Sequence, residues 1–221
     1  MAADTMADDP RTYRVYLAWF GPGMVKVGIT GEERGAARLR EQGAVAFSWL
    51  GRGPLMAARR TEEVLRAALG VPDRIPYARK RAVRGQLPGP EERAGAVAEL
   101  YARAAALEGR GWPESLERLP LEVVDQVGVF GLDRATAAAR PVREGAPAPV
   151  RAVRELVDGG VVAGRLVAAA GPDLHLAVAG GGVVVLDTRL ITGWDLTAEA
   201  GSDVRVPLID IGGGGVQGGL F

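Results

Sequence analysis

The feature that most constrains this chain is a β-hairpin with a helix start directly behind it. Tyr13 to Phe20 (YRVYLAWF) is rich in β-branched and aromatic residues and reads as a strand. Gly21-Pro22-Gly23 is a turn signal, and Met24 to Thr30 (MVKVGIT) reads as the return strand. Gly31-Glu32-Glu33 then opens a helix, with Thr30 as its N-cap and acidic side chains at the positive end of its dipole. That helix is expected to run through Arg34, Arg38, Leu39 and Arg40 and to stop near Gly43. Ala44 to Leu50 predicts a third strand. Pro54 introduces a helix from Leu55 to Leu69, which Gly70 and Pro72 end. The order β-β-α-β-α is uncommon, and residues 74 to 84 (RIPYARKRAVR) follow it as a basic connector.

The remainder is patterned differently. Residues 1–10 read as a disordered lead-in, small and acidic. Glu91 to Glu108 predicts an Ala-rich helix with Val97, Leu100, Tyr101 and Leu107 on its apolar face, and a shorter helix is expected around Glu114 to Leu119. Residues 140 to 149 are rich in Pro and Ala and read as a linker. Val161 to Ala169, Leu174 to Val178, Val183 to Asp187 and Val204 to Ile209 are short β runs between turn signals. The fold class is therefore α+β. A front domain spans 11–85, a helical connector and linker 86–145, and a small β-sheet or partly open barrel 146–211, with a Gly-rich tail over 212–221.

Composition removes several classes of function. With no cysteine and one histidine, the chain cannot build a disulfide scaffold, a zinc site on thiolates or a two-histidine metal motif. No apolar run approaches the length of a membrane span and no signal-peptide stretch opens the chain, so no membrane partner and a cytoplasmic location are expected. The formal net charge of 0 hides an asymmetry. From Arg11 to Arg84 there are 15 basic residues against 6 acidic ones, and the rest of the chain carries the compensating negative charge. A basic half is the footprint of a phosphate-binding surface; neutralisation by the acidic half across a domain interface is an equal alternative.

The residues of the front domain resemble the GIY-YIG nuclease domain over roughly residues 13 to 80. Val15-Tyr16 stands in its first motif, Lys26-Val27-Gly28 in its second, with Thr30 as the small hydroxyl residue that follows. Arg38-Leu39 matches the helical Arg-Leu, and Glu62 with Leu65 the later Glu-x-x-Leu. The resemblance implies a metal-dependent phosphodiester hydrolase in which Tyr16 helps to activate water, Arg38 contacts the phosphate and Glu62 binds one Mg²⁺. Mg²⁺ keeps most of its waters and needs few protein ligands. Arg14 stands where the first motif has Gly. Lys26 stands where the second has Tyr, and a Lys there acts as a point charge on phosphate. Glu63 competes with Glu62 for the metal role.

A second resemblance covers nearly the whole chain. Val15 to Phe20, Lys26 to Thr30, Glu41-Gln42-Gly43-Ala44, Gly51 to Arg60, Val71 to Tyr77 and Thr192-Gly193-Trp194 are similar to an uncharacterised bacterial family, the domain-of-unknown-function family 2797. Its members commonly carry a Cys-containing segment ahead of the Tyr strand, which this cysteine-free chain lacks.

The remaining candidates are weighed singly. Arg40 and the cluster Arg79-Lys80-Arg81-x-x-Arg84 could track a nucleic-acid backbone, with Tyr77 as a stacking platform; a solvated linker is the alternative. His175, between Leu174 and Leu176, is expected to be structural, Gly180-Gly181-Gly182 a hairpin turn, and Trp49 and Trp112 core or interface residues. The function expected is nucleic-acid processing, with nucleic acid as partner. A non-catalytic nucleic-acid-binding or protein-interaction module that keeps only the fold is the alternative. The sequence leaves the oligomeric state open.

Overall fold

A computed structural model describes residues 9–109, 112–139 and 150–211. In chain order its strands and helices begin with β1 (Tyr13–Gly21), β2 (Met24–Gly31), α1 (Ala37–Gln42), β3 (Ala46–Gly53) and α2 (Leu55–Leu69). There follow α3 (Tyr77–Val83), α4 (Pro90–Ala105), β4 (Glu117–Arg118), β5 (Val124–Asp125), α5 (Val127–Phe130) and α6 (Leu132–Ala138). The last seven strands are β6 (Val150–Val153), β7 (Val161–Val162), β8 (Arg165–Ala170), β9 (Asp173–Ala177), β10 (Val183–Asp187), β11 (Val204–Arg205) and β12 (Leu208–Asp210). The fold class is α+β. Among the described residues no helix is long and apolar enough to cross a membrane.

Two compact units share these elements. One takes the chain up to Pro76 together with Pro88–Gln126; the other takes Tyr77–Leu87 and the residues from Val127 onward. These limits differ from those read in the sequence, because α4 is no connector. Its Leu100 and Ala104 enter the same core as Val15, Leu17, Val27 and Leu50, while α3 groups with the later strands.

In the first unit the sheet order is β2-β1-β3-β4, and β5 also pairs with β3. The hairpin register sets the two faces. Leu17 opposes Val27 and Val15 opposes Ile29 on the core face, while Tyr16 opposes Gly28 and Ala18 opposes Lys26 on the other. α2 supplies Ala57, Ala58 and Leu65 to the core, and it begins after Pro54 and ends on left-handed Gly70 as the sequence predicts.

Three local expectations are corrected. The helix expected from Gly31 to Gly43 is broken, because Gly35 takes a φ of 47° between a 3₁₀ turn (Glu32–Arg34) and α1; Thr30 lies in β2 and caps neither. The third strand begins at Ala46 and extends to Gly53. Residues 114 to 119 do not form a helix. Leu116 is drawn into the core, and Glu117 pairs with Arg52 at 2.8 Å, which lays β4 along β3.

The second unit is built on an open sheet of order β12-β6-β10-β9-β8, and β7 and β11 form a separate ribbon. Its central strand β10, with Val183, Val184 and Val185 all buried, lies parallel to β6 and antiparallel to β9. Ala152 joins Val183 and Val185 in a small core against which Ala138 and Ala139 pack. Gly180-Gly181-Gly182 forms the turn before β10, all three with positive φ. Residues 1–8 of the lead-in expected over 1–10, the linker over 140–149 and the tail over 212–221 lie outside the described residues.

Candidate active site

On the face of the first sheet away from the core, α1 closes over β1 and β2. Tyr16 is 2% exposed and its ring meets Trp49 edge-on at 6.4 Å. Gln42, the last residue of α1, links two of the expected site residues: its Nε2 donates to Tyr16 Oη at 2.9 Å, and its Oε1 accepts from Lys26 Nζ at 3.3 Å. The sequence reading assigned Gln42 no role. Its one signal was position, a polar residue three after buried Leu39 and so on the covered face of the helix.

Electrostatics tie Arg38 and Glu62 to the same place. Burial pushes the Tyr16 phenol above its ordinary value, the Gln42 hydrogen bond partly offsets this, and the charges of Arg38 and Glu62 also reach it. Burial pushes the Lys26 ammonium down, against the pull of Asp73 and Glu62. Burial raises the Glu62 carboxyl, opposed by Lys26 and Arg66. Tyr16, Lys26, Arg38 and Glu62 thus share one electrostatic neighbourhood although they come from β1, β2, α1 and α2.

Of the two candidate carboxylates on α2, Glu62 is half-buried and Glu63 is exposed. Glu62 makes no hydrogen bond or ion pair among the described residues, whereas nearby Asp73 pairs with Arg66 at 3.1 Å. Among the described residues there is no group of three or more His, Asp or Glu that could hold a metal. Any ion here would rely on Glu62 with water, an arrangement that suits Mg²⁺. Arg38, Arg40, Arg59 and Arg74 are exposed cations of this unit, and Arg38 also meets Glu41 at 3.5 Å.

The expected nucleic-acid cluster after Pro76 is placed otherwise. Arg79 is exposed, but Lys80 and Arg84 are buried at 4% and 1% exposure, and Arg81 is paired to Asp173 and Asp187. Tyr77 is half-buried, with Lys80 Nζ 4.5 Å and the Arg189 guanidinium 4.6 Å from its ring centre. Lys80, Arg81 and Arg84 therefore turn away from any polymer backbone, because two acidic side chains far along the chain draw the arginines inward. Tyr77 already stacks on cations and offers no open platform for a base. His175 lies in β9 at 4% exposure.

No curated protein and no solved structure matches the chain. Residues 3–196 match the model of a family described as a protein of unknown function, DUF2797, and over that span the chain belongs to this family.

Proposed function

We propose that the first unit hydrolyses phosphodiester bonds of nucleic acid, with Tyr16, Lys26, Arg38 and Glu62 as its working groups. The observation that supports this is electrostatic: a buried tyrosine, a desolvated lysine and a half-buried glutamate feel one another's environment, and the charge of exposed Arg38 reaches the first two. The resemblance to the GIY-YIG domain implies roles for Tyr16, Arg38 and Glu62, while Lys26 stands where that domain has Tyr.

The side chains divide the work. Exposed Arg38 docks the phosphate, and Lys26 adds a point charge beside it. Because Gln42 donates to Tyr16 Oη, the hydroxyl hydrogen of Tyr16 is left for an incoming group. That phenol, already protonated at neutral pH and raised further by burial, orients the attacking water; the water's proton passes to solvent as the bond to the leaving oxygen breaks, and that oxygen takes a proton from solvent in turn. Glu62 fits a single divalent ion, since its carboxylate is desolvated and lacks a close cationic partner. A bound Mg²⁺ would neutralise charge on the phosphate and the leaving oxygen.

The test is cleavage of labelled single-stranded, duplex and branched DNA and RNA with Mg²⁺, Mn²⁺ or EDTA, comparing wild type with Glu62→Ala. Metal-dependent cutting that falls to background in the variant, with binding retained, is the expected result. Equal cutting by the variant overturns the role of Glu62. A second reading, a nucleic-acid-binding module without chemistry, is favoured by one observation: the charge of Lys26 reaches Glu62 and repels a cation there. It predicts salt-sensitive binding and no cutting with any metal.

A further inference from the structure

The second unit holds a charge cluster that the proposed hydrolytic site does not use. Asp173, fully buried at the start of β9, accepts from Arg81 Nη2 at 2.5 Å and from Arg84 Nη1 at 2.6 Å. Asp187, at the end of β10, accepts from the same Arg81 Nη2 at 2.9 Å and from Arg189 Nη2 at 2.5 Å. Two carboxylates thus serve three guanidiniums, and one positive charge is left over. Arg189 is open to solvent, so the buried members are told apart by their hydrogen bonding. Arg84 uses only Nη1; its Nε and Nη2, both buried, have no partner.

Those two N–H groups share one edge of the planar guanidinium, the edge that grips two oxygens of a carboxylate or phosphate side by side. Arg81 Nε and His175 Nε2 are also buried and unpartnered. The His175 imidazole lies close enough to Arg84 and Arg81 to feel both charges. Native interiors leave few buried polar atoms unpaired, and those that remain call for an explanation. Three of these four atoms are arginine N–H donors that lack an acceptor, and His175 Nε2 beside them becomes a donor when the imidazole is protonated.

We infer that Arg84, Arg81 and His175 form a binding site for a small oxyanion, held by the Nε/Nη2 edge of Arg84 with Arg81 Nε and His175 Nε2 completing its contacts. The ligand class is a free phosphate, sulfate or small carboxylate. The donor atoms are enclosed, which suits a small free ion and excludes a phosphate inside a polymer. Binding supplies the acceptor that the enclosed edge of Arg84 lacks. It also favours protonation of His175, which otherwise faces Arg81 and Arg84, with Asp173 on its own strand and Asp187 and Arg189 at the end of the neighbouring one.

The chain has one histidine, so a single imidazole resonance reports the site. The full-length protein is titrated with phosphate, sulfate and acetate against chloride at matched ionic strength, following the His175 Cε1–H signal and the thermal midpoint. In parallel, dialysed protein is denatured and its released anions are counted by ion chromatography. A saturable shift with an oxyanion but not with chloride, or close to one retained oxyanion per chain, is expected, and Arg84→Met should abolish either. A response to phosphate and sulfate but not acetate assigns a tetrahedral ligand, and the converse a carboxylate. No saturation and no retained anion overturns the inference, leaving water as the partner of these atoms. A shift produced by a 5′-phosphorylated oligonucleotide and by none of the small ions overturns it as well. The wild-type measurements stand even if Arg84→Met does not fold.

Discussion

The ring of Tyr16 lies against the backbone of Gly28, its partner across the hairpin: a Cβ on Gly28 would fall 2.3 Å from Tyr16 Oη and 2.4 Å from its Cζ. Tyr16 is fixed by this strand and by Gln42 together, so Gly28→Ala must push the phenol out of place. Overpacking of this kind costs about 1–3 kcal/mol. Urea unfolding should register that loss, and the variant should lose cleavage out of proportion to its loss of folded protein. A variant with normal stability and normal cleavage would show that Tyr16 has another position open to it.

Gln42 holds Tyr16 and Lys26 at once, so Gln42→Leu should leave both without a partner. Displacing a working group by about 1 Å costs on the order of 100-fold, so cleavage should fall by roughly that factor. The direction of a second effect follows from the sign of the interaction. The hydrogen bond from Gln42 lowers the Tyr16 phenol, so removing it moves the phenol further up. The titration of the Tyr16 ring, followed by NMR, should therefore move to higher pH in the variant, a change that misfolding alone would not produce.

Neighbouring carboxylates on α2 provide an internal control. Glu62 is half-buried and coupled to Lys26, whereas Glu63 points to solvent. Metal-dependent cleavage should vanish in Glu62→Ala and stay within about twofold of wild type in Glu63→Ala, since exposed substitutions away from special features have small effects. The reverse ranking, measured on the same substrates, would reassign the metal ligand.

What the sequence made legible followed from local signals. The hairpin, the limits of α2 between Pro54 and Gly70, and β10 all carry turn or cap residues at their ends, and the structure places them as read. Gly35 defeated the reading of the first helix, because a glycine inside a charged run gives no sign that its φ will be positive. The elements between Val124 and Ala138 were missed because strands of two residues and helices of four and seven are too short for periodicity to register. The basic run after Pro76 misled for a different reason. Arg84 and Arg81 find their carboxylates 89 and 106 residues away, and no local pattern announces a partner at that distance. A charge run is usually a solvated face, and here non-local pairing turns it inward.

Arg93 shows the same effect inside the first unit. It is 8% exposed, donates to Asp125 Oδ2 through Nε at 2.8 Å and Nη2 at 2.5 Å, and donates through Nη1 to the Pro88 carbonyl at 2.5 Å. Removing it leaves the carbonyl without this donor and takes one cation from Asp125. Because the Asp125 side chain is partly solvated, Arg93→Met should cost about 1–3 kcal/mol, below the range for fully enclosed pairs. Denaturant midpoints of the variant and of Asp125→Asn, taken with the double variant, would separate the pair from the carbonyl contact. A coupling energy near zero in that cycle would show that Arg93 acts through Pro88 alone.

Acid should destabilise the protein well before its ordinary carboxylates titrate. Burial, reinforced by the charges of Arg84 and Arg81, holds the His175 imidazole down at about 3 from an ordinary value of 6.5. Below pH 6.5 the unfolded chain therefore takes up a proton that the folded chain refuses. Stability contributed by neutral His175 is complete above pH 6.5 and declines with a slope approaching about 1.4 kcal/mol per pH unit until the folded-state value is reached. Asp187 acts in the same direction lower down. Burial would raise its carboxyl, but the hydrogen bonds from Arg189 and Arg81 outweigh it and hold the group at about 2, so its contribution is present above 3.8 and lost toward 2. Urea midpoints measured from pH 8 to 4 in a buffer free of small oxyanions should fall steadily below 6.5 for wild type. His175→Gln, which has nothing to protonate, should show a flatter profile over the same range. Parallel profiles for the two proteins would mean that His175 accepts its proton in the folded state as readily as in the unfolded one.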